Sequence, residues 1–415
     1  MKEQLLTRFL RYVAIPSQSD ASVPEVPSSE GQWDMARCLQ QELEALGFTD
    51  IHLSEHCCLT AKLPRTEGVD PDTPAVGFCA HLDTVDVNLS PEIHPQVVRD
   101  YDGGVITLNE DKQVFLDPAE HPEVLQYQGD DIVVTDGTSV LGADDKAALT
   151  AVMEAMTTLA KGDTPHGDIY VAFVPDEEIG LRGSKALELD RFPVAYAYTL
   201  DSCEIGEVVY ETFNAGSGLL TVHGVSAHPM SAKGVLVNPI LVAVDFITMF
   251  NRLETPENTD GTDGYVWMEG IAGNASTATV TMNIRDHHRD RYEQRKAYIR
   301  EATELLRKRH PRAKIELELT DVYANIKDAV TDDNHAAIDH VYEAMKRLGI
   351  TPKTMSMRGG TDGSYLSSQG LLTPNFFTGG HNFHSVCEFL PLGSLGKAYE
   401  MVLTIIELVR DEKKQ

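Results

Sequence analysis

Basic residues are scarce in this chain. Its 415 residues hold 35 Lys and Arg against 64 Asp and Glu, a formal net charge of −29. Nucleic acid and anionic membrane are therefore not expected as partners, since both select for positive surfaces. Long apolar runs are also missing, and none reaches the roughly 18 residues of a membrane span. The N-terminal segment Met1–Pro16 lacks the unbroken apolar core and small-residue cleavage site of a signal peptide, and reads as an amphipathic helix. Cysteine is sparse: six residues, with no CxxC spacing, make no disulfide framework. A cytoplasmic location is the expectation. What remains is ordinary globular composition, 42% hydrophobic and 24% charged, in a chain long enough for two or three domains.

Hydrophobic periodicity gives the outline. Leu5, Leu6, Phe9, Leu10 and Val13 recur at helical spacing up to Pro16, and a second helix runs from Gly31 to Leu46, closed by Gly47. Short apolar runs at 75–80, 169–174 and 194–200 read as buried parallel strands. Between them lies an amphipathic helix that begins at Asp145. Residues 86–135 read as an excursion of loops and short strands. Strands alternating with helices predict an α/β domain, a mostly parallel mixed sheet flanked by helices. The character changes near residue 210. A strand at 218–228, a helix from Asn238 to about Leu253, a strictly alternating strand at 276–285, a helix at 289–308 and alternation at 315–319 follow. That order predicts an inserted α+β domain of the split βαβ kind. The expected division is 1–210 with 323–415 for the larger domain, and 211–322 for the insertion.

The polar residues fall at informative places. The run at 75–80 ends in His81-Leu82-Asp83, the run at 169–174 in Pro175-Asp176-Glu177-Glu178, and the run at 194–200 in Asp201. Asp144-Asp145-Lys146 opens a helix, and Pro374–Phe377 leads into a loop holding His381 and His384. Ligands of open α/β sheets gather at the carboxyl ends of strands. Carboxylates converging there repel one another unless cations neutralise them. Imidazole with carboxylate suits zinc or a similar divalent ion. Taken alone, each acid has a plainer reading as a turn residue or helix cap. Asp145 in particular suits a helix N-terminus electrostatically. One of His381 and His384 reads as a hydrogen-bonding loop residue only. Coincidence at several strand ends at once is the weaker explanation.

These motifs resemble the co-catalytic zinc metallopeptidases, in the aminotripeptidase (peptidase T) branch of that family. The resemblance spans essentially the whole chain. It rests on Ala80–Asp86, Leu141–Ala147, Asp176–Gly180, Gly224–Pro229, Arg358–Gly363 and His384–Glu388, with Ser28–Trp33 particular to the branch. It implies two Zn2+ per subunit, with Co2+ or Mn2+ as substitutes, bridged by Asp144. His81 and Asp201 would complete one ion, Glu178 and His384 the other. It selects His384 over His381, because the family's last ligand precedes a Glu by four residues. Asp83 would orient His81, and Glu177 would be the general base. His228 would donate to the oxyanion from the other subunit of a homodimer. Arg285 and Arg358 would clamp the substrate carboxylate. The implied activity is release of the N-terminal residue from tripeptides. A dipeptidase, carboxypeptidase or N-acyl-amino-acid deacylase with the same metals is the alternative, and an inactive peptide- or metal-binding homologue is a further one.

Other features carry less. Arg358–Gly363 lacks the Gly-Lys-Ser/Thr of a phosphate loop. The basic stretch from Arg289 to Arg312 is interspersed with Glu and reads as a solvated helix face. Cys79, Cys203 and Cys387 each lie within three residues of an expected ligand and read as structural thiols. Asp201-Ser202-Cys203-Glu204 departs from the glycine-rich run expected there, which bears on substrate preference.

Overall fold

The computed structural model describes residues 1–412. The chain divides into two compact units. The first comprises Met1–Tyr210, Val330–Met355 and Thr361–Gln415, and the second Glu211–Ala329 with Ser356–Gly360. The chain leaves the second unit between Ala329 and Val330, later than the 322/323 boundary read from the sequence. Hydrogen bonds account for the difference. The Asn325 carboxamide accepts from Thr212 N at 2.8 Å and donates to His287 O at 2.9 Å, and Ile326 N donates to Thr212 Oγ1.

The first unit is built on an eight-stranded sheet. At its centre Ile169–Val174, Val76–His81, Tyr196–Ser202 and Asn375–Phe377 run parallel. Leu59–Leu63 with Thr49–Leu53 on one side, and Glu207–Glu211 on the other, add antiparallel flanks, and Lys353–Ser356 completes the sheet beyond Glu207–Glu211. The parallel strands are apolar and buried because helices cover them, as parallel strands require. The antiparallel strands at 49–63 escape sequence reading: His52, Thr60 and Lys62 break any apolar run, and pairing to Ile169–Val174 decides their state. Smaller sheets form in the 86–135 excursion.

Helix Ala143–Lys161 differs from the amphipathic expectation. Every residue from Ala143 to Met156 is buried. The sheet lies on one side of it, and helices Lys2–Val13 and Leu392–Asp411 pack on others. Alanines at 147, 148, 151 and 155 let these neighbours approach closely. Lys2–Val13 seats Leu5, Phe9 and Val13 fully buried, so Phe9→Ala would cost about 3–5 kcal/mol.

The second unit has the order β-α-β-β-α-β. Its sheet places Tyr265–Gly273, Thr277–Asp286, Asn214–His223 and Lys314–Tyr323 side by side, with every pairing antiparallel. Helices Pro239–Ile247 and Arg289–Arg309 cover one face, around Leu220, Phe246, Val280, Ile299 and Leu306. Two expectations shift. The first strand spans Asn214–His223 rather than 218–228, so His228 lies in the following loop. The first helix stops at Ile247, and the chain then turns, with Asn251 Oδ1 accepting from Leu253 N.

Candidate metal centre

The parallel strands deliver their polar ends to one place. His81 ends its strand, Glu177 and Glu178 follow Val174, and Asp201 lies at the end of Tyr196–Ser202. Asp144 and Asp145 begin the buried helix, outside helical φ/ψ. Gly142, at φ 72°, allows the turn that brings them in.

Two overlapping groups of donor atoms result. Atoms of His81, Asp144, Asp145 and Asp201 lie within 4.8 Å of one another, and so do atoms of Asp144, Glu178 and His384. Asp144 belongs to both: its Oδ1 is 2.9 Å from His81 Nε2, and its Oδ2 is 3.1 Å from His384 Nε2. His384 Nε2 is also 3.0 Å from Glu178 Oε1. His381 lies elsewhere. Its Nε2 is 2.6 Å from the Tyr127 hydroxyl, and its ring stacks on Phe389 at 4.8 Å. Glu177 stands next to Glu178 in the chain but belongs to neither donor group.

The electrostatics test whether cations fit. Burial pushes Asp145, Asp201 and Glu177 well above the usual carboxylate range, and repulsion from neighbouring acids adds to it, although the positive His81 works the other way. Glu178 is pushed up to about 7, by burial first and then by Asp144. Burial acts upward on Asp144 too, yet hydrogen bonds from His384 and His81 outweigh it and hold this group low. Burial opposes a positive His81, but its bonds to Asp144 and Asp83 prevail and raise it; His384 rises likewise to about 11. Asp145 Oδ1 is buried without a hydrogen-bond partner. Crowded acids that must take up protons, an unpartnered carboxylate oxygen and two imidazoles are the signature of a site made for divalent cations. The donor set fits two.

Surrounding groups hold the loops in place. His81 Nδ1 is 3.0 Å from Asp83 O and 3.3 Å from Asp83 Oδ1. The same Asp83 carboxylate accepts from Glu177 N at 3.0 Å and Glu178 N at 3.2 Å, so it ties two strand ends together. Asp145 Oδ2 accepts from His81 N at 3.2 Å, and Asn375 Oδ1 accepts from Asp201 N at 2.7 Å. Glu388 accepts from Leu141, Gly142 and Asp144 N–H groups at 2.6, 3.0 and 3.2 Å. Burial pushes its carboxyl up to about 8. The sequence pattern assigns these parts to neither Asp145 nor Glu388. The signal for Glu388 is a lone acid inside the run Val386-Cys387-Glu388-Phe389-Leu390. Cys79 and Cys387 are buried and Cys203 partly so; each carries a free thiol.

The remaining candidates belong to the second unit. His228 is exposed and accepts from Met230 N through Nδ1 at 3.2 Å, which leaves the proton on Nε2. Arg285 donates to Gly216 O, Ile284 O and Asn283 Oδ1. Arg358 lies over the rings of Phe213 and Tyr265 and donates to Gly261 O, Asp263 O and Thr259 Oγ1. Both guanidinium groups are half-buried and hold their own unit together. No described helix is long and apolar enough to cross a membrane.

Comparison with known proteins agrees with this picture. Residues 140–408 match the model of peptidase family M20/M25/M40. A peptidase T-like protein of Yersinia pestis is 53% identical over 98% of this chain and 97% of its own length. A peptidase T of Geobacillus thermodenitrificans is 40% identical over 98% of both chains. The solved structure of the Bacillus cereus aminopeptidase PepT superposes with a TM-score of 0.75 at 24% identity, covering 99% of each chain. With a family match over more than half the chain and relatives this close along nearly its full length, the chain belongs to peptidase family M20/M25/M40, in its peptidase T branch.

Proposed function

We propose that the protein is a two-metal aminopeptidase that releases the N-terminal residue from tripeptides. The observation that carries this reading is the pair of donor groups sharing Asp144, with one carboxylate, Glu177, beside them and outside both. His81, Asp144 and Asp201 would hold one ion, Asp144, Glu178 and His384 the other, and Zn2+ suits the mixed imidazole and carboxylate donors. Such ions, when bound, supply Lewis acidity and an acidified water.

The chain's own groups do the rest. Glu177 takes the proton of the attacking water and passes it to the departing amine. The Asp83 bonds to the Glu177 and Glu178 peptides keep that carboxylate in register with His81. Asp83 also fixes which His81 nitrogen faces the donor group. His228, with its proton on Nε2, offers a donor for the developing oxyanion. Arg285 and Arg358 would exchange carbonyl partners for the substrate carboxylate, a stronger, charge-assisted bond. Recognition of the free carboxylate of a short peptide would be the physical basis for tripeptide preference.

We infer a homodimer in which His228 of one protomer serves the centre of the other. Exposed Ile240, Leu241 and Val244 on helix Pro239–Ile247 support it, together with Ile271, which stands on the same face of the adjoining outermost strand. Apolar groups gathered at a sheet edge suit burial against a second copy. Six free thiols among the described residues accord with a reducing cytoplasm.

A panel of free tripeptides, dipeptides, N-blocked peptides and acyl amino acids tests the reading. Hydrolysis of free tripeptides from the N-terminus is expected. Cleavage of N-blocked substrates with free tripeptides untouched overturns it in favour of a carboxypeptidase or deacylase.

A further inference from the structure

Ser28–Gln32 lies far from the donor groups in sequence and contributes to neither of them. We propose that this segment positions Glu177, acting through Asp176; the inference rests on Glu177 being the general base.

Three consecutive peptide N–H groups follow the strand Ile169–Val174, and each is taken by a side chain from elsewhere. Asp176 N donates to Gln32 Oε1 at 2.9 Å, Glu177 N to Asp83 Oδ1 at 3.0 Å, and Glu178 N to Asp83 Oδ2 at 3.2 Å. The peptides on both sides of Asp176 and Glu177 are thereby fixed.

Asp176 is fully buried at φ 54°. Left-handed backbone is disfavoured in a residue with a Cβ, and the surroundings hold it here. Its carboxylate accepts from Ser28 Oγ at 2.5 Å, from Ser28 N at 2.8 Å and from Gln32 Nε2 at 2.7 Å. With the bond from its own N–H, the residue is held four times. The network also sets the Gln32 amide, whose oxygen must face an N–H and whose nitrogen must face a carboxylate.

Gln32 is wholly buried on the stripe of Met35, Ala36, Leu39 and Leu43. A polar group on an apolar stripe needs a partner, and Asp176 is that partner. Gly31 belongs to the same device: a Cβ there would come within 1.6 Å of Pro16 O, so only glycine lets the first helical turn sit against Pro16. Just beyond Pro16, Ser17 Oγ donates to Leu82 O at 2.7 Å, and Ser19 N to Thr84 O at 3.0 Å. Residues 16–32 therefore grip the loop that carries His81 and Asp83 at one end and the loop that carries Glu177 at the other. Glu177 is tied to His81 directly through Asp83 and a second time through this segment.

The test uses isosteric exchanges. Gln32→Glu sets carboxylate against carboxylate, and Asp176→Asn sets amide against amide. The double exchange reverses the pair: the amide at 176 donates to the carboxylate at 32, with atoms and net charge conserved. Each single variant, as metal-loaded enzyme, is expected to lower kcat on a free tripeptide about 10- to 100-fold. KM and metal content should stay within about twofold, the pattern of a misplaced catalytic group. Amide hydrogen exchange in 175–179 of the metal-free protein should speed up in each single variant. The double variant should recover most of both kcat and protection. Unchanged kcat in the single variants overturns the proposal, as does metal loss equal to the kcat loss or a double variant no better than the singles. Glu177→Gln is the control. If it is inactive while Gln32→Glu is undisturbed, this inference alone fails; if it is active, the general-base reading fails.

Discussion

The two units treat their charged side chains in opposite ways. In the first, Asp144, Asp145, Asp201 and Glu178 are gathered with two imidazoles, Glu177 feels their charges from outside the set, and Asp145 keeps a buried oxygen without a partner. In the second, Arg285 and Arg358 lie over aromatic rings and give their N–H groups to nearby oxygens. The first arrangement is electrostatically incomplete and calls for cations. The second is complete as it stands. A metal centre follows from physical chemistry in one unit, while the carboxylate clamp in the other rests on family resemblance and an exchange of partners.

The largest expected effect sharpens that contrast. Chelation should abolish hydrolysis, and resupplied Zn2+, Co2+ or Mn2+ should restore it. The loaded protein should melt several degrees above the stripped one, because cations bind the folded cluster preferentially. Calorimetry with and without metal reads both; equal melting temperatures would contradict the electrostatic argument. Next comes Glu177→Gln, expected to lose about 10^3-fold in kcat while elemental analysis finds two metals per chain.

Arg358→Ala probes the other side of the comparison. If its guanidinium meets the substrate carboxylate, KM for tripeptides rises about 10- to 100-fold with metal content unchanged. If it serves the 259–263 loop alone, KM holds and only resistance of that loop to proteolysis falls.

The smallest effect concerns His381, the histidine outside the donor groups. Burial pushes its imidazole down to about 4 from an ordinary 6.5. Between those values the unfolded chain holds a proton that the folded chain does not. Stability therefore rises with pH through this window and is lost as the pH falls. His381→Gln should remove about 2 kcal/mol of that acid dependence, read as a smaller fall in Tm between about pH 7 and pH 4.5.

Much of the site is legible in sequence because strands end abruptly. Val174 into Asp176-Glu177-Glu178, and Ala80 into His81, mark where apolar burial stops and chemistry begins. What is not legible is which side chain accepts which N–H. Glu388 serves the 141–144 loop across more than 240 residues of chain, and Gln32 serves Asp176 across 144. Such pairings have no period and no local signature. The antiparallel strands at 49–63 are lost for a related reason: pairing with Ile169–Val174, not their own composition, makes them strands.

Local physics is written in the residues themselves: which segments are apolar enough to be buried, where helices and strands alternate, and which acids and histidines stand at their ends. Tertiary structure alone decided that Asp145 and Glu388 join the centre; it also brought about the sharing of Asp144 and the exclusion of His381, which the family resemblance implied but no local pattern dictates. It decided that the helix from Ala143 is buried on all sides as far as Met156. The reason is range: periodicity acts over a few residues, whereas desolvation and charge repulsion act between whichever groups the fold brings within a few ångströms.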